Sequence, residues 1–318
     1  MWGEILKLIK KVIFFIIFEF IFCTTLGTYL VFHGPFKNIR NTVVTSAMTT
    51  MNHKYIAKLF LSDDEIKRIM EENKISSPTE SENQDAIKVK YSSNNIECIN
   101  IETNRYKGYL LIVDNPKRVK VGTSQDLGNR GETLGQIIKR YNAVAGVNAG
   151  GFSNAMTGTG GIPSGIIIEN GEIKYIDDEK TFNIVGFNNK NILIVGEYKL
   201  DEIKELKLRD AISFGPALIV NGKPMIKKGD GGWGIAPRTA IGQTQDGKVL
   251  LLTIDGRQKH SLGATLKDVQ DVLLEYGAYN ASNLDGGSSA TMYNDGKLVN
   301  KPSDILGERA IPSAFIVE

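Results

Sequence analysis

Four segments place a polar side chain and then glycine or other small residues directly after an apolar run. They are AVAGVNAGGFSN with Asn148, APRTAIG with Arg238, LLLTIDGRQ with Asp255, and NASNLDGGSSATMY with Asn283 and Asp285. This pattern is typical of strands whose ends project a side chain into a crevice, where glycine lets main-chain N–H groups approach a ligand. We therefore expect the four segments to share one site.

The residue types in these segments suit a phosphate group. Arg238 carries a planar fork of donors that matches a pair of phosphate oxygens. Gly150, Gly151, Gly286 and Gly287 have no side chain to shield their N–H groups, so these groups are expected to bind the same anion.

The remaining polar groups suit a sugar attached to that phosphate. Asp285 or Asp255 would act as nucleophile or base at the anomeric carbon, and Asn148 and Asn283 would hold hydroxyl groups. Because a phosphate monoester is already a good leaving group, a strong general acid is less necessary than for an ordinary glycoside. The scarcity of histidine is consistent with that chemistry.

Histidine and cysteine counts exclude several other site classes. Of three histidines, only His260 lies outside the N-terminal region, so one chain cannot build a multi-His or Cys/His zinc site. A Ser-His-Asp triad would need His260, which we interpret as a loop histidine. Cys23 and Cys98 offer no disulfide framework, and we interpret Cys98 as a small buried hydrophobe.

Composition places the chain among globular proteins and gives no support to nucleic acid as a partner. Of 318 residues, 42% are hydrophobic, and 38 basic against 36 acidic residues give a net charge of +2. The chemistry above requires no cofactor. A Ca²⁺ or Mg²⁺ ion held by side-chain oxygens at Asp285 or Asp255 is left open.

Residues 1–34 are predicted to form a short cytoplasmic tip and a transmembrane anchor. Residues 12–32 are apolar apart from Glu19 and a few small polar residues, and as a helix they would span about 31 Å, which matches a bilayer core. Lys7, Lys10 and Lys11 precede this run, so the N-terminus is expected in the cytoplasm and the rest outside the cell. A cleaved signal peptide is the alternative, but no A-x-A-like site follows.

Residues 35–85 are predicted to be a stalk that leads to a folded domain over residues 86–318. Within the stalk, Ser62 and Glu65 resemble a capping box that would start a short amphipathic helix at Asp63. The polar cluster around Pro78 predicts a flexible boundary.

Beyond residue 86 the pattern predicts an α+β domain with a largely antiparallel or mixed sheet and a few packed helices. Four Asn-Gly or Asp-Gly pairs between apolar runs predict tight hairpin turns, at residues 170–171, 221–222, 246–247 and 295–296. Two segments with helical spacing are expected to form helices, at about 132–142 and at 265–277. The Gly-rich stretch 229–237, with Trp233, is either a flap over the site or a solvated loop.

At these residues the chain resembles the phosphodiester glycosidase family. The resembling segments are VNAGGF, FGPALIVNGKP, PRTAIGQTQDGKVLLLTIDGR, NLDGGSSATMY and ERAIPSAFIV, and they occur in the family's order. The family pattern more often has N-G-G-F-F and D-G-G-G-S, so Ala149, Ser153 and Ser288 stand at differing positions. The resemblance implies functional residues at Asn148, Gly151, Phe152, Arg238, Thr239, Asp255, Asp285, Gly286, Gly287 and Ser288, to which we add Ser289 and Arg309 as substrate-binding candidates.

The resemblance implies hydrolysis of a sugar 1-phosphodiester by a glycosidase. With the predicted anchor, it leads us to expect a carbohydrate-phosphate substrate at the cell surface, such as an envelope glycan or exopolysaccharide. A non-catalytic polysaccharide-binding or exopolysaccharide-assembly protein on the same fold is the alternative, because fold does not determine function. A stalked structural scaffold is a third hypothesis, which predicts no ligand cleft.

Overall fold

The computed structural model describes residues 2–50, 53–75, 83–90, 93–153 and 158–318. The chain divides into two compact units, Met1–Glu72 and Asn73–Glu318. The predicted domain boundaries at residues 34 and 85 stay predictions, and the predicted flexible stretch around Pro78 lies outside the described residues.

The helices that the structure describes fall in both units, and the last three of them belong to the larger unit. Their bounds are α1 Trp2–His33, α2 Lys37–Met48, α3 Tyr55–Lys58, α4 Asp63–Glu72, α5 Leu134–Tyr141, α6 Leu200–Glu205 and α7 Leu266–Glu275.

The smaller unit is helical. Apolar side chains of α2, α3 and α4 pack around Val44, Ala57 and Ile69, which are buried. The α4 helix begins at Asp63, the position that the sequence pattern predicts, because Ser62 and Glu65 exchange capping hydrogen bonds of 3.3 Å between side chain and main-chain N–H.

The α1 helix is continuous over 32 residues, and most of its aromatic and aliphatic side chains are exposed. It also contains the charged residues Glu4, Lys7, Lys10, Lys11 and Glu19. Among the described residues, no helix meets the combined requirement of length and apolarity for crossing a bilayer. The predicted transmembrane anchor is therefore not supported.

The larger unit is built mainly of strands. Their bounds are β1 Ile96–Glu102, β2 Lys107–Val113, β3 Val119–Thr123, β4 Ala145–Asn148, β5 Phe152–Ser153, β6 Ile162–Pro163, β7 Ile166–Glu169, β8 Glu172–Ile176, β9 Thr181–Asn188, β10 Leu193–Lys199, β11 Leu208–Ser213, β12 Ala217–Val220, β13 Lys223–Pro224, β14 Arg238–Thr244, β15 Val249–Ile254, β16 Ala278–Leu284, β17 Met292–Asn294, β18 Lys297–Leu298 and β19 Ser313–Val317.

These strands form three main sheets. A seven-stranded sheet has the order β1-β2-β15-β14-β16-β12-β13, and two five-stranded sheets have the orders β10-β9-β11-β7-β8 and β18-β17-β4-β19-β3. A fourth, two-stranded sheet pairs β5 with β6. Within the described ranges every strand pairing is antiparallel. The predicted α+β class with antiparallel sheets and few helices is confirmed.

All four predicted turns connect neighbouring antiparallel strands, but they are not of one type. Asn170, Asn221 and Asp295 each have a positive φ, as does the glycine that follows, which fits the predicted left-handed pair. In the turn at residues 246–247 only Gly247 has a positive φ, so this turn has a different backbone form. An Asn-Gly or Asp-Gly pair therefore predicts where the chain reverses more reliably than it predicts which type of turn forms.

Both predicted helices of the larger unit are present and capped. The hydroxyl of Thr133 accepts the N–H of Gln136 before α5, and the hydroxyl of Thr265 accepts the N–H of Asp268 before α7. Cys98 was expected to be buried, but it lies exposed on β1 at the sheet edge. Edge strands leave one side open to solvent, which the local pattern does not reveal.

The core of the larger unit sits on both faces of the seven-stranded sheet. On one face, Ile241 and Leu251 pack with Val147 and Phe315 of the β4-β19 sheet. On the other face, Ala240 and its neighbours pack against α7. Because the side chains of successive residues in a strand point to opposite faces, neighbouring residues at the start of β14 pack on opposite sides of the sheet.

Candidate active site

Asn148, at the end of β4, joins three distant segments through its side-chain amide. Its Oδ1 accepts the hydroxyl of Thr239 at 2.8 Å and the N–H of Thr291 at 3.1 Å. Its Nδ2 donates to the main-chain carbonyl of Asp285 at 2.5 Å. The amide is 1% exposed, so it positions the Asp285 segment. Only the second Nδ2 hydrogen would be left to bind a sugar hydroxyl, the role predicted for Asn148. That role stays a prediction.

Asp285 follows the last residue of β16 and brings a carboxylate with a raised pKa to this cluster. Its N–H donates to the carbonyl of Ala149 at 2.9 Å, which ties it to the loop after β4. The residue retains some exposed surface, but its carboxyl group is closely surrounded, and burial raises its pKa from 3.8 to about 6. The Ser289 hydroxyl, the Arg309 charge and the Gly286 N–H act in the opposite direction and lower that pKa. A carboxyl with this pKa exchanges protons near neutral pH.

Arg309 provides a positive charge close to Asp285. Its Nη1 donates to the hydroxyl of Ser288 at 3.2 Å, and its guanidinium lies 4.8 Å from the ring centre of Phe152. It forms no ion pair within 4.0 Å with any residue that the structure describes. The segments of Phe152, Asp285, Ser288 and Arg309 are thus brought together, as the sequence predicts.

The glycines of the site use their freedom mainly to pack against neighbouring backbone. A Cβ at Gly286 would lie 2.7 Å from the carbonyl oxygen of Pro237, and Gly287 has a φ of +62°. The Gly287 N–H donates to that Pro237 carbonyl at 2.9 Å, and the Gly150 N–H donates to the Ser313 hydroxyl at 3.2 Å. The prediction that these two N–H groups are left for an anion is wrong, because the fold itself supplies their acceptors.

The side chain of Arg238 is hydrogen-bonded to main-chain carbonyls of nearby loops, not to Asn148 or its partners. Arg238 precedes Thr239 on β14, so the two side chains lie on opposite faces of the sheet. Its Nη2 donates to the carbonyls of Trp233 at 2.8 Å and Gly234 at 2.6 Å, and its Nε donates to that of Ala264 at 3.0 Å. Burial lowers the pKa of Arg238 to about 10, which still leaves it charged at neutral pH. Arg238 thus fastens the 229–236 loop, and the predicted phosphate contact would fall to Nη1.

Asn283 also lies apart from the Asn148 cluster. It pairs in register with Ala240, on the sheet face that carries Arg238, and its Nδ2 donates to the carbonyl of Gly215 at 3.0 Å. Its Oδ1 is buried and has no hydrogen-bond partner among the described residues. Trp233 is 38% exposed and packs edge-on against Phe214, so it holds the loop while leaving part of its ring open.

Asp255, directly after β15, has one satisfied oxygen and one unsatisfied one. Its Oδ1 accepts Asn300 Nδ2 and Lys301 N–H, both at 3.0 Å. Its buried Oδ2 has no hydrogen bond to any described group, and the Nε2 of His260 lies 3.7 Å away. Burial raises the pKa of Asp255, while Asn300, Lys301 and His260 lower it.

Asn300 links the Asp255 region to the segment after Ser289. Its Nδ2 also donates to the carbonyl of Ala290 at 3.0 Å, and its Oδ1 accepts the N–H of Met292 at 2.8 Å. The hydroxyl of Ser289 is buried and faces the carboxyl of Asp285, whose pKa it lowers. Sequence reasoning missed Asn300 because it follows no recognisable motif, and it interpreted His260 as a loop residue without its proximity to Asp255.

No metal centre stands out at these residues. Within the described ranges, no three His, Cys, Asp or Glu side chains are grouped so that they could hold a metal ion. The Ca²⁺ or Mg²⁺ ion considered for Asp285 or Asp255 therefore receives no support from the arrangement of carboxylates.

The chain is similar to known proteins over the part that carries these residues. A family model described as phosphodiester glycosidase matches residues 141–318. N-acetylglucosamine-1-phosphodiester alpha-N-acetylglucosaminidase of Bos taurus is 30% identical over 182 residues, which are 55% of this chain and 30% of that protein. The SPbeta prophage-derived uncharacterized protein YomE of Bacillus subtilis (strain 168) is 29% identical over 196 residues, or 58% of this chain and 29% of that protein. The chain thus spans less than a third of the length of these relatives.

A solved structure supports the same fold. The catalytic domain of zebrafish N-acetylglucosamine-1-phosphodiester alpha-N-acetylglucosaminidase, auto-inhibited by its pro-peptide, superposes with a TM-score of 0.61 at 24% identity. The match covers 76% of this chain and 94% of that domain. All the predicted site residues lie within the part of the chain that the family model matches.

Proposed function

We propose, from the premise that this chain belongs to the phosphodiester glycosidase family, that it hydrolyses the bond between the anomeric carbon of a sugar and a phosphodiester. The observation that carries the proposal is Asp285, whose pKa is raised to about 6 beside the charged Arg309. The phosphate, bound near Arg309, and the carboxyl of Asp285, which transfers the proton, would then lie close together.

The carboxyl of Asp285 has two roles open to it. As a base it would take a proton from the attacking water, and as a nucleophile it would bond to the anomeric carbon before water releases the sugar. Asn148 fixes the main chain of Asp285 through a 2.5 Å hydrogen bond, which limits the movement of the carboxyl in either role. Asp255, with its unpaired buried oxygen, is the second candidate for these roles.

Phosphate binding is proposed to rest mainly on side chains rather than on glycine N–H groups. Two of the four predicted glycine N–H groups are bonded to Pro237 and Ser313. Arg309, by contrast, is half-buried and forms no ion pair with the described residues, so its charge is available to an anion. The substrate would be a phosphate-bridged envelope glycan or exopolysaccharide, and the cell-surface location stays a prediction.

The test uses the full chain and methyl N-acetylglucosamine 1-phosphodiester as the probe, because the similar Bos taurus and zebrafish enzymes are named for N-acetylglucosamine 1-phosphodiesters. Released sugar is quantified by chromatography for the wild type, Asp285→Asn and the matched control Asp295→Asn. Asp295 is exposed in a hairpin turn, so its substitution should leave turnover unchanged. We expect Asp285→Asn to lose about a hundredfold or more in kcat, while calorimetry still detects binding of the probe.

Two outcomes would contradict the proposal. If the folded wild type binds the probe but releases no sugar from it or from other sugar 1-phosphodiesters, the chain is a binding protein. If Asp285→Asn retains full turnover, another residue performs the chemistry, with Asp255 the next to change. The anomer that forms first, observed by proton NMR, separates the roles of Asp285, because inversion indicates a base and retention a nucleophile.

A further inference from the structure

Arg257 occupies a backbone position that arginine seldom adopts. It lies two residues beyond Asp255, where its N–H donates to the carbonyl of Leu262 at 3.1 Å across a tight loop. Its φ is +58°, in the left-handed region that glycine and asparagine enter more easily. A long charged side chain at such a position has a conformational cost, and this kind of strain is concentrated at functional sites.

The guanidinium of Arg257 lies against the Gly286–Ser288 turn. The position that a Cβ would take at Gly287 lies 3.6 Å from both Nη1 and Nη2 of Arg257, an ordinary van der Waals distance, so the guanidinium lies beside this turn. Arg309 contacts the next residue of the same turn through its hydrogen bond to Ser288. Two arginines from segments about fifty residues apart therefore meet one short turn, directly after Asp285.

Arg257 has no partner for its charge among the described residues. It makes no side-chain hydrogen bond and no ion pair with them, although Asp255 is two positions away and pairs instead with Asn300 and Lys301. Part of its side chain is exposed, yet the surroundings of the guanidinium are crowded enough for burial to lower its pKa. The guanidinium thus lies beside the Gly286–Ser288 turn, partly open to solvent and without an ion pair to a described residue.

We propose that Arg257 binds the phosphate of the substrate together with Arg309, and that it stabilises the charge that this phosphate gains in the reaction. The inference rests on the proposed function. A phosphodiester carries one negative charge. When its bond to the anomeric carbon breaks, the electron pair stays on the phosphate oxygen, while water supplies a hydroxyl to the carbon and a proton to the base. The monoester that leaves carries two negative charges.

Two guanidinium groups match that product better than the starting diester. One arginine balances the charge of the diester, and the second gains its full attraction only as the bond breaks, which is the condition for accelerating the step. Arg257 would therefore affect kcat more than KM. It would also favour phosphate monoesters over diesters in simple binding.

The experiment compares the full chain with Arg257→Gln, Arg257→Lys and the control Lys259→Gln. Lys259 is exposed two positions away, and no side-chain hydrogen bond or ion pair joins it to a residue that the structure describes. Calorimetry at pH 8 measures binding of methyl phosphate, a dianion, and dimethyl phosphate, a monoanion, and turnover is measured with methyl N-acetylglucosamine 1-phosphodiester. We expect Arg257→Gln to weaken methyl phosphate binding by about tenfold or more and dimethyl phosphate binding by clearly less, because a hydrogen bond between charged groups is lost.

Partial recovery in Arg257→Lys, with wild-type behaviour of Lys259→Gln, completes the expected result. Equal binding of both phosphates by Arg257→Gln and the wild type would overturn the inference, even if the wild type hydrolyses the substrate. If the wild type shows no turnover, but Arg257→Gln binds methyl phosphate more weakly than the wild type does, the proposed hydrolysis fails while the phosphate site stands. Equal losses for the two phosphates would refute the proposed stabilisation of the second charge.

Discussion

Replacing Asp285 with asparagine should stabilise the larger unit at neutral pH while it lowers kcat by about a hundredfold or more. The carboxyl is closely surrounded, and the energetic cost of burying its charge exceeds the help from the Ser289 hydroxyl, the Arg309 charge and the Gly286 N–H. Asparagine has the same shape and retains an oxygen that accepts hydrogen bonds, but it has no charge to bury. The substitution thus removes a cost that function imposes on the fold.

The size of the effect follows from the raised pKa. A rise from 3.8 to about 6 corresponds, at about 1.4 kcal/mol for each tenfold change in proton affinity, to about 3 kcal/mol. Since part of the residue contacts water, we expect about 1 to 3 kcal/mol. The native state holds this proton more tightly than the unfolded chain, so wild-type stability decreases as pH rises from about 4 to about 6. Below that range Asp285 is protonated in both states, and the two proteins should have similar free energies of unfolding.

The assay is urea unfolding of the full chain at several pH values between 3.5 and 8. Trp233 lies in the larger unit and Trp2 in the smaller one, and the sequence contains 2 tryptophans, so Trp2→Phe as the common background makes the fluorescence report on the larger unit. The difference in free energy of unfolding between Asp285→Asn and the wild type should grow through pH 4 to 6 and stay constant above. Asp295→Asn, at an exposed turn, should show no such change.

Two results would refute this reasoning. A difference that does not vary with pH would mean that the carboxyl has an ordinary pKa. A variant less stable than the wild type at pH 7.5 would mean that the charge of Asp285 is better compensated by its neighbours than burial suggests.

Two further predictions concern the residues that position the site. Asn148→Ala should lower the free energy of unfolding by about 3 to 5 kcal/mol, because it leaves the Thr239 hydroxyl and two main-chain groups buried without partners, whereas urea unfolding of the exposed control Asn189→Ala should match the wild type. Arg238→Gln should release the 229–236 loop, so that acrylamide quenches Trp233 more strongly, and unchanged quenching would show that its hydrogen bonds to the loop carbonyls are not needed.

Local sequence patterns determined most of the secondary structure of the larger unit. The N-terminal cap of α7 is formed by residues close in sequence, since the side chains of Thr265 and Asp268 each accept the main-chain N–H of the other. The hairpins at Asn170, Asn221 and Asp295 likewise depend on residues that tolerate a positive φ beside glycine. Such features need no partner from elsewhere in the chain, so the local sequence is enough to predict them.

The ordered motifs also brought out the segments around Asn148 and Asp285, which do come together. What the sequence could not show is the partner of each donor. The N–H of Gly287 and the guanidinium of Arg238 look free in the sequence, but carbonyls of Pro237, Trp233 and neighbouring residues occupy them. Hydrogen bonds between distant segments depend on which strand ends are adjacent in space, and no local pattern encodes that.

The sequence by itself therefore determined the fold class, the helices α4, α5 and α7, the four chain reversals and the family. Only the tertiary structure decided which charges are left for a ligand. It directed Arg238 to one face of the sheet and Thr239 to the other, and it left the cations of Arg257 and Arg309 beside one turn without an ion pair to a described residue. The physical reason is that propensity and turn chemistry act over a few residues, whereas charge compensation is settled by contacts between residues far apart in the chain.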